Sequence, residues 1–191
     1  MDFKHIEEKM NKTINPGPLG LLGFGMTTIL LNLHNAGIIP LSLVIVAMGL
    51  ALGGVVQIIA GLLAFKGGNN FQGYAFVAYG FFWISLVMIW TLKTDYPEMA
   101  ADLTSMGYYL LIWGVFTLFM TIGTITHNTS TKLTFSSLTL LFFLLAIADF
   151  TGSELIKHIA GYVGIVCGLI AFYGAVGQIV NQELNKNIFP L

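Results

Sequence analysis

From Pro16 to Phe65 the chain carries no Asp, Glu, Lys or Arg, and after Lys66 the next charged side chain is Lys93. Uncharged apolar stretches of this length are what membrane-crossing helices of ~20 residues require. The composition agrees: 56% of the residues are hydrophobic and 9% charged, where soluble domains carry about 25% charged residues. Mean hydropathy is +0.83. The fold class expected is an all-α integral membrane protein. Its 191 residues give room for about six spans with short connections, and none for a separate soluble domain. A net charge of −1 offers no basic surface for nucleic acid. The single cysteine, Cys167, excludes an internal disulfide and reads as a small packing residue.

Breaks rich in Gly, Asn, Asp and Thr divide the apolar sequence into six transmembrane helices. They run from about Pro18 to Asn35, Pro40 to Phe65, Phe71 to Leu92, Tyr108 to Thr126, Leu133 to Ala148 and Ile159 to Val180. The first run begins after residue 15 and another span follows at once, so it reads as a span and not as a cleaved signal. Three regions result: a cytoplasmic segment over residues 1–14, a six-helix transport domain over 15–183, and a cytoplasmic tail over 184–191. The N-terminal segment spaces Phe3, Ile6 and Met10 along one helical face, so it is either an interfacial helix or a polar tail. Six lysines (Lys4, Lys9, Lys12, Lys66, Lys132, Lys186) fall on one side of this arrangement and two (Lys93, Lys157) on the other. The positive-inside rule puts both termini in the cytoplasm of a cell-membrane protein. Gly73-Tyr74 with Gly80 echoes Gly161-Tyr162 with Gly168 at an offset of 88 residues, the pattern of a 3+3 inverted repeat.

At the mouth of the first span stands Asn15-Pro16-Gly17-Pro18-Leu19-Gly20-Leu21. Asn15 is expected to cap the helix, with Pro16 and Pro18 in the first turn. A helix N-terminus holds unpaired N–H groups and partial positive charge, so it receives an anion without a basic side chain. That suits a chain with eight Lys and no Arg. No Asp, Glu, Lys or Arg lies within the central part of any span, where it would mark a proton relay or ion pair. His5 and His127 map to the cytoplasmic side and His34 and His158 to the outer side, with no ligand spacing among them, so neither metal nor other cofactor is expected. No nucleophile motif is present; the chain is not read as an enzyme. What the spans do offer is neutral hydrogen-bonding groups: Thr27, Thr28, Asn32, Gln57, Ser85, Thr117, Thr121, Ser136, Ser137, Thr139 and Gln178. Such groups either line a polar path or bond between helices; Asn32 and Gln57, costliest to bury, are the stronger candidates for a path. Gly49, Gly53, Gly54, Ala60 and Gly61 give the second span a close-packing face, within the bundle or between subunits.

The run from Asn15 to Leu21, followed by Gly23-Phe24-Gly25-Met26-Thr27-Thr28 and Asn32-Leu33-His34-Asn35, resembles the signature of the acetate uptake transporters, or succinate-acetate permeases. The resemblance continues through Ala47-Met48-Gly49, Gln57-Ile58, Tyr79-Gly80, Trp83 and Trp113-Gly114-Val115-Phe116-Thr117 to Ala160-Gly161. Gly17 departs from it, standing where the motif has Ala. What the resemblance implies is a six-helix protomer of a cyclic homo-hexamer, each protomer with its own pore for acetate and, in some members, succinate. It implies an apolar constriction made by Phe24, Tyr79 and Leu138, and matches Trp83, Trp113 and Ala171 as lining or packing positions. The substrate-binding or pore-lining residues expected are therefore Asn15, Phe24, Thr27, Thr28, Asn32, Gln57, Tyr79, Leu138 and Ala171. Tyr hydroxyl, Thr, Asn and helix-end N–H groups are expected to meet the carboxylate, while apolar contacts meet the methyl group. A channel for neutral solutes such as urea would use the same mixture, and stays the alternative.

Overall fold

The computed structural model describes residues 14–191; the N-terminal segment expected over residues 1–14 lies, but for Ile14, outside the described residues. Within them run six long helices: α1 (Gly17–Asn35), α2 (Leu43–Lys66), α3 (Asn70–Leu92), α4 (Leu103–Gly123), α5 (Thr129–Thr151) and α6 (Glu154–Leu184). α2 to α6 are long and apolar enough to cross a membrane. α1 is less apolar, because its buried face is built from glycines with Thr27, Thr28, Asn32 and Asn35.

Side-chain caps set the starts of four helices. Asn69, Asp102, Asn128 and Ser153 each accept a hydrogen bond from the backbone N–H three residues on. Asp102 binds the Ser105 N–H at 2.7 Å, and that bond holds its carboxyl below the ordinary carboxylate range. α4 and α5 therefore begin five and four residues before the expected Tyr108 and Leu133, and α6 five before Ile159. Polar residues that fill a first turn look like loop to an apolarity criterion, but they are helical because a cap satisfies their backbone donors. α5 ends at Gly152, whose φ of 63° places it in the left-handed region that favours glycine.

The helices form a closed ring in chain order. α1 packs on α6 and α2, α2 on α3, α4 on α5, and α5 on α6. The closest approach is between α1 and α6. A Cβ at Gly25 would lie 2.7 Å from the Phe172 nitrogen, and one at Gly168 2.8 Å from the Ile29 nitrogen, so only hydrogen fits where these backbones cross. α3 and α4 meet through rings: Phe82 stacks on Tyr109 at 5.7 Å and meets Trp113 edge-on at 5.2 Å. The glycine face of α2 turns inward on α3, with Gly49 and Gly53 against Trp83, Gly54 against Ile84 and Gly61 against Val77. Gly80 faces α2 whereas Gly168 faces α1, so the two echoed glycines serve different contacts.

The middle of α2, Gly49–Val56, is wound as a π-helix. Runs of this kind are rare and concentrate at functional sites. Outward-facing apolar side chains line the ring's circumference, among them Leu43, Val44 and Leu62 on α2, Ile112 and Phe119 on α4, and Leu155 on α6. Together with the span lengths this makes the molecule a multi-pass membrane protein.

Candidate functional site

Phe24, Tyr79 and Leu138 come together inside the ring. They line one narrow cavity of about 20 Å³ with Leu21, Gln57, Ala75, Phe76, Thr134 and Phe135. That is room for a single water molecule. From the observed helix starts the three lie seven, nine and nine residues in (24 − 17, 79 − 70, 138 − 129). At ~1.5 Å per residue these depths agree within about 3 Å. The Phe24 and Tyr79 rings are 6.2 Å apart, and Phe135 sits 6.2 Å from Tyr79 on the α5 side.

Phe76, Ala75, Thr134 and Phe135 were not anticipated. The signal was available: Ala75, Phe76 and Tyr79 follow an i, i+1, i+4 pattern, and Thr134, Phe135 and Leu138 repeat it, one helical face in each case. The inward polar position of α5 is thus Thr134, whereas Ser136 is exposed and Ser137 bonds back to Leu133 and Thr134 of its own helix.

The polar candidates divide by whether the protein already satisfies them. The Tyr79 hydroxyl donates to Thr117 at 3.0 Å, and Thr117 donates to the Trp113 carbonyl at 2.7 Å. Its hydrogen is thereby directed toward α4, against the expectation that it is free for a solute. Asn32 is also engaged: its amide donates to the Thr28 carbonyl at 2.9 Å and its oxygen accepts from Asn35 at 3.0 Å. Gly164 makes space for that side chain. Thr27 reaches the Met48 carbonyl at 3.5 Å. Ala171 is fully buried on α6 and is not among the cavity-lining residues. By contrast, both polar atoms of Gln57, the Thr28 hydroxyl and the Trp83 indole nitrogen are buried and have no hydrogen-bond partner in the protein.

At the start of α1, Asn15 does not occupy the N-cap position, which is Pro16. Its side chain accepts from the Gly17 N–H at 3.1 Å and its amide donates to Gln178 at 3.4 Å. The Gly20 N–H bonds the Pro16 carbonyl at 3.1 Å. Those two N–H groups are thus committed, one to the Asn15 side chain and the other to the first i→i−4 bond of the helix. Asn15 lines a mouth pocket of about 250 Å³ with Pro16, Asn69 and Gln72. At the opposite end His34 and His158 border a pocket of about 290 Å³ with Glu154 and Lys157. Among the described residues no group of His, Cys, Asp and Glu is placed to hold a metal ion.

A ring of long apolar helices around one narrow, uncharged interior cavity, with Gln57 among its lining residues, fits a multi-pass membrane protein of the channel or transporter class. The comparisons agree. Residues 3–190 match the profile of the GPR1/FUN34/yaaH family, and the chain belongs to that family. It is 47% identical over 180 residues to the succinate-acetate/proton symporter SatP of Escherichia coli (strain K12), covering 94% of this chain and 96% of that one. It is 34% identical over 181 residues to the ammonia transport outward protein 2 of Saccharomyces cerevisiae, covering 91% of this chain and 64% of that one. Its fold superposes with a TM-score of 0.92 on a solved structure of the bacterial acetate channel SatP, at 47% identity over 94% of this chain and 99% of that one.

Proposed function

We propose that the protein moves acetate, and related small carboxylates such as succinate, across the cell membrane through a pore inside each helix ring. It does so with both termini in the cytoplasm, as one protomer of a homo-hexamer, and without enzymatic chemistry. The observation that carries this reading is the shared cavity of Phe24, Tyr79 and Leu138, with Gln57, whose amide is buried and unpartnered, among its lining residues. An apolar ring accepts a methyl group, and a neutral amide gives hydrogen bonds to a carboxylate without trapping it as a lysine would. Membership of a family whose relatives include succinate-acetate symporters and an acetate channel supports the substrate class.

The mouth pocket beside Asn15 is where the anion enters from the cytoplasm, with the amides of Asn69 and Gln72 at hand. The cavity has room for one water molecule, so passage needs the aromatic side chains to swing aside. A bare carboxylate in that apolar neck is costly unless the amide, water or a proton accompanies it. The test is uptake of radiolabelled acetate by proteoliposomes, with and without an imposed pH gradient and against urea and ammonium as competitors. Saturable acetate uptake insensitive to urea is expected. Urea flux without acetate flux would overturn the reading, and stimulation by an inward proton gradient would make the carrier proton-coupled.

A further inference from the structure

Gly20 is buried in the first turns of α1, and no turn or left-handed backbone accounts for it. Alanine is the better helix former at such a position, so what matters is the missing side chain. A Cβ at Gly20 would lie 2.5 Å from Cε2 and Cζ of Phe76 and 2.6 Å from its Cδ2. One edge of the Phe76 ring thus rests directly on the bare α1 backbone.

Phe76 is a wall of the narrow cavity. It precedes Tyr79 by three residues on α3, as Leu21 precedes Phe24 on α1 and Phe135 precedes Leu138 on α5, and all six line the same cavity. Residues three apart share a helix face and are separated by ~4.5 Å along the axis. The neck therefore has two apolar layers. The one made by Leu21, Phe76 and Phe135 is nearer the mouth pocket of Asn15, which Gln72, one turn before Phe76, also lines. The walls are held in different ways. Tyr79 is tied to Thr117 through its hydroxyl, and Phe135 packs on the Phe71 ring at 5.5 Å. Phe76 has no polar atom to tie it, so its position is set by the surface it leans on.

We infer that Gly20 is a positioning residue for the bore of the neck: by leaving out a side chain it lets Phe76 lie back against α1, and Phe76 so placed limits the size of carboxylate that passes. Carbon atoms in contact settle at ~3.5–4.0 Å, so a methyl group at Gly20 has to drive the ring about 1 Å away from α1 and across the interior. A cavity with room for one water molecule has no slack for that shift. A smaller side chain at position 76 does the reverse and widens the mouth-side layer. This rests on the acetate reading above and adds to it the residue pair that sets the size limit.

The test is uptake of radiolabelled acetate and lactate by proteoliposomes holding the full chain as wild type, Gly20→Ala, Phe76→Leu and the double variant. Gly20→Ala is expected to lower acetate uptake about tenfold, the effect of a modest overpacking cost on the barrier. Phe76→Leu is expected to raise lactate uptake relative to acetate severalfold. In the double variant the smaller side chain relieves the clash, and acetate uptake is expected to return to near the wild-type level; a glycine needed only for folding gives no such rescue. Should Gly20→Ala alone not assemble, assembly and acetate uptake by the double variant show the same relief. A double variant that transports no better than Gly20→Ala, or that also fails to assemble, would overturn the role of Gly20. A wild-type lactate-to-acetate ratio in Phe76→Leu would overturn that of Phe76. Wild-type protein that takes up no acetate would overturn the substrate reading and this inference with it.

Discussion

Gln57 is fully buried, and neither its amide nitrogen nor its oxygen has a partner in the protein. Leaving such a group unpaired costs about 1–3 kcal/mol, and replacing it by an apolar group of similar shape removes that penalty. Gln57→Leu is therefore expected to keep or raise thermal stability, by up to about 2 kcal/mol, while lowering acetate uptake severalfold. Thermal unfolding and proteoliposome flux measured on the same preparation decide it; a loss of stability with flux intact would make Gln57 a structural residue. Leu138 presents the opposite case. It is 4% exposed in the tightest part of the ring, so Leu138→Ala should cost about 2–5 kcal/mol in stability and open a cavity. The wider neck should admit lactate, raising its uptake relative to acetate. Unchanged selectivity in a folded Leu138→Ala protein would remove Leu138 from the narrow point.

Helix contacts in this molecule are made at two kinds of surface. α1 and α6 cross at backbone distance, where Gly25 and Gly168 leave no space for a methyl group. α3 and α4 are held apart and bridged by Phe82, Tyr109, Trp113 and the Tyr79–Thr117 hydrogen bond. The first surface is rigid, because backbone atoms cannot give way; the second can rearrange by rotation of rings. Opening of the ring is therefore expected on the α3 and α4 side. Gly168→Ala should destabilise the protomer by about 1–3 kcal/mol, since overpacking forces the helices apart. Measured melting temperatures should fall accordingly, and a neutral result would show that the α1–α6 crossing adapts. The same reasoning explains the helix bounds. The apolar runs located each long helix to within about five residues at its ends, but the caps at Asp102, Asn128 and Ser153 decided where α4, α5 and α6 begin.

At the scale of the whole molecule, the ring's outer surface is broadly apolar, with Ile112 and Leu155 both 69% exposed. Lipid or a second copy of the chain must cover such faces. In mild detergent we expect a hexamer near six times 20.8 kDa after correction for bound detergent. Light scattering reporting a stable monomer or dimer would exclude it.

The resemblance of one long signature to a family singled out Phe24, Tyr79 and Leu138, whereas uncharged runs of span length, with capping and turn residues between them, determined the class and the number of long helices. These are local properties, carried by hydropathy, backbone propensity and spacing along single helices. Which polar groups are free was decided only by tertiary structure. Asn32, Gln57 and Tyr79 look alike as polar groups in apolar helices, yet Asn32 is satisfied by its own helix and Tyr79 by Thr117 on α4. Gln57 and Trp83 are left with nothing. A hydrogen-bond partner thirty-eight residues away depends on how helices close into a ring, and no pattern along one helix encodes it.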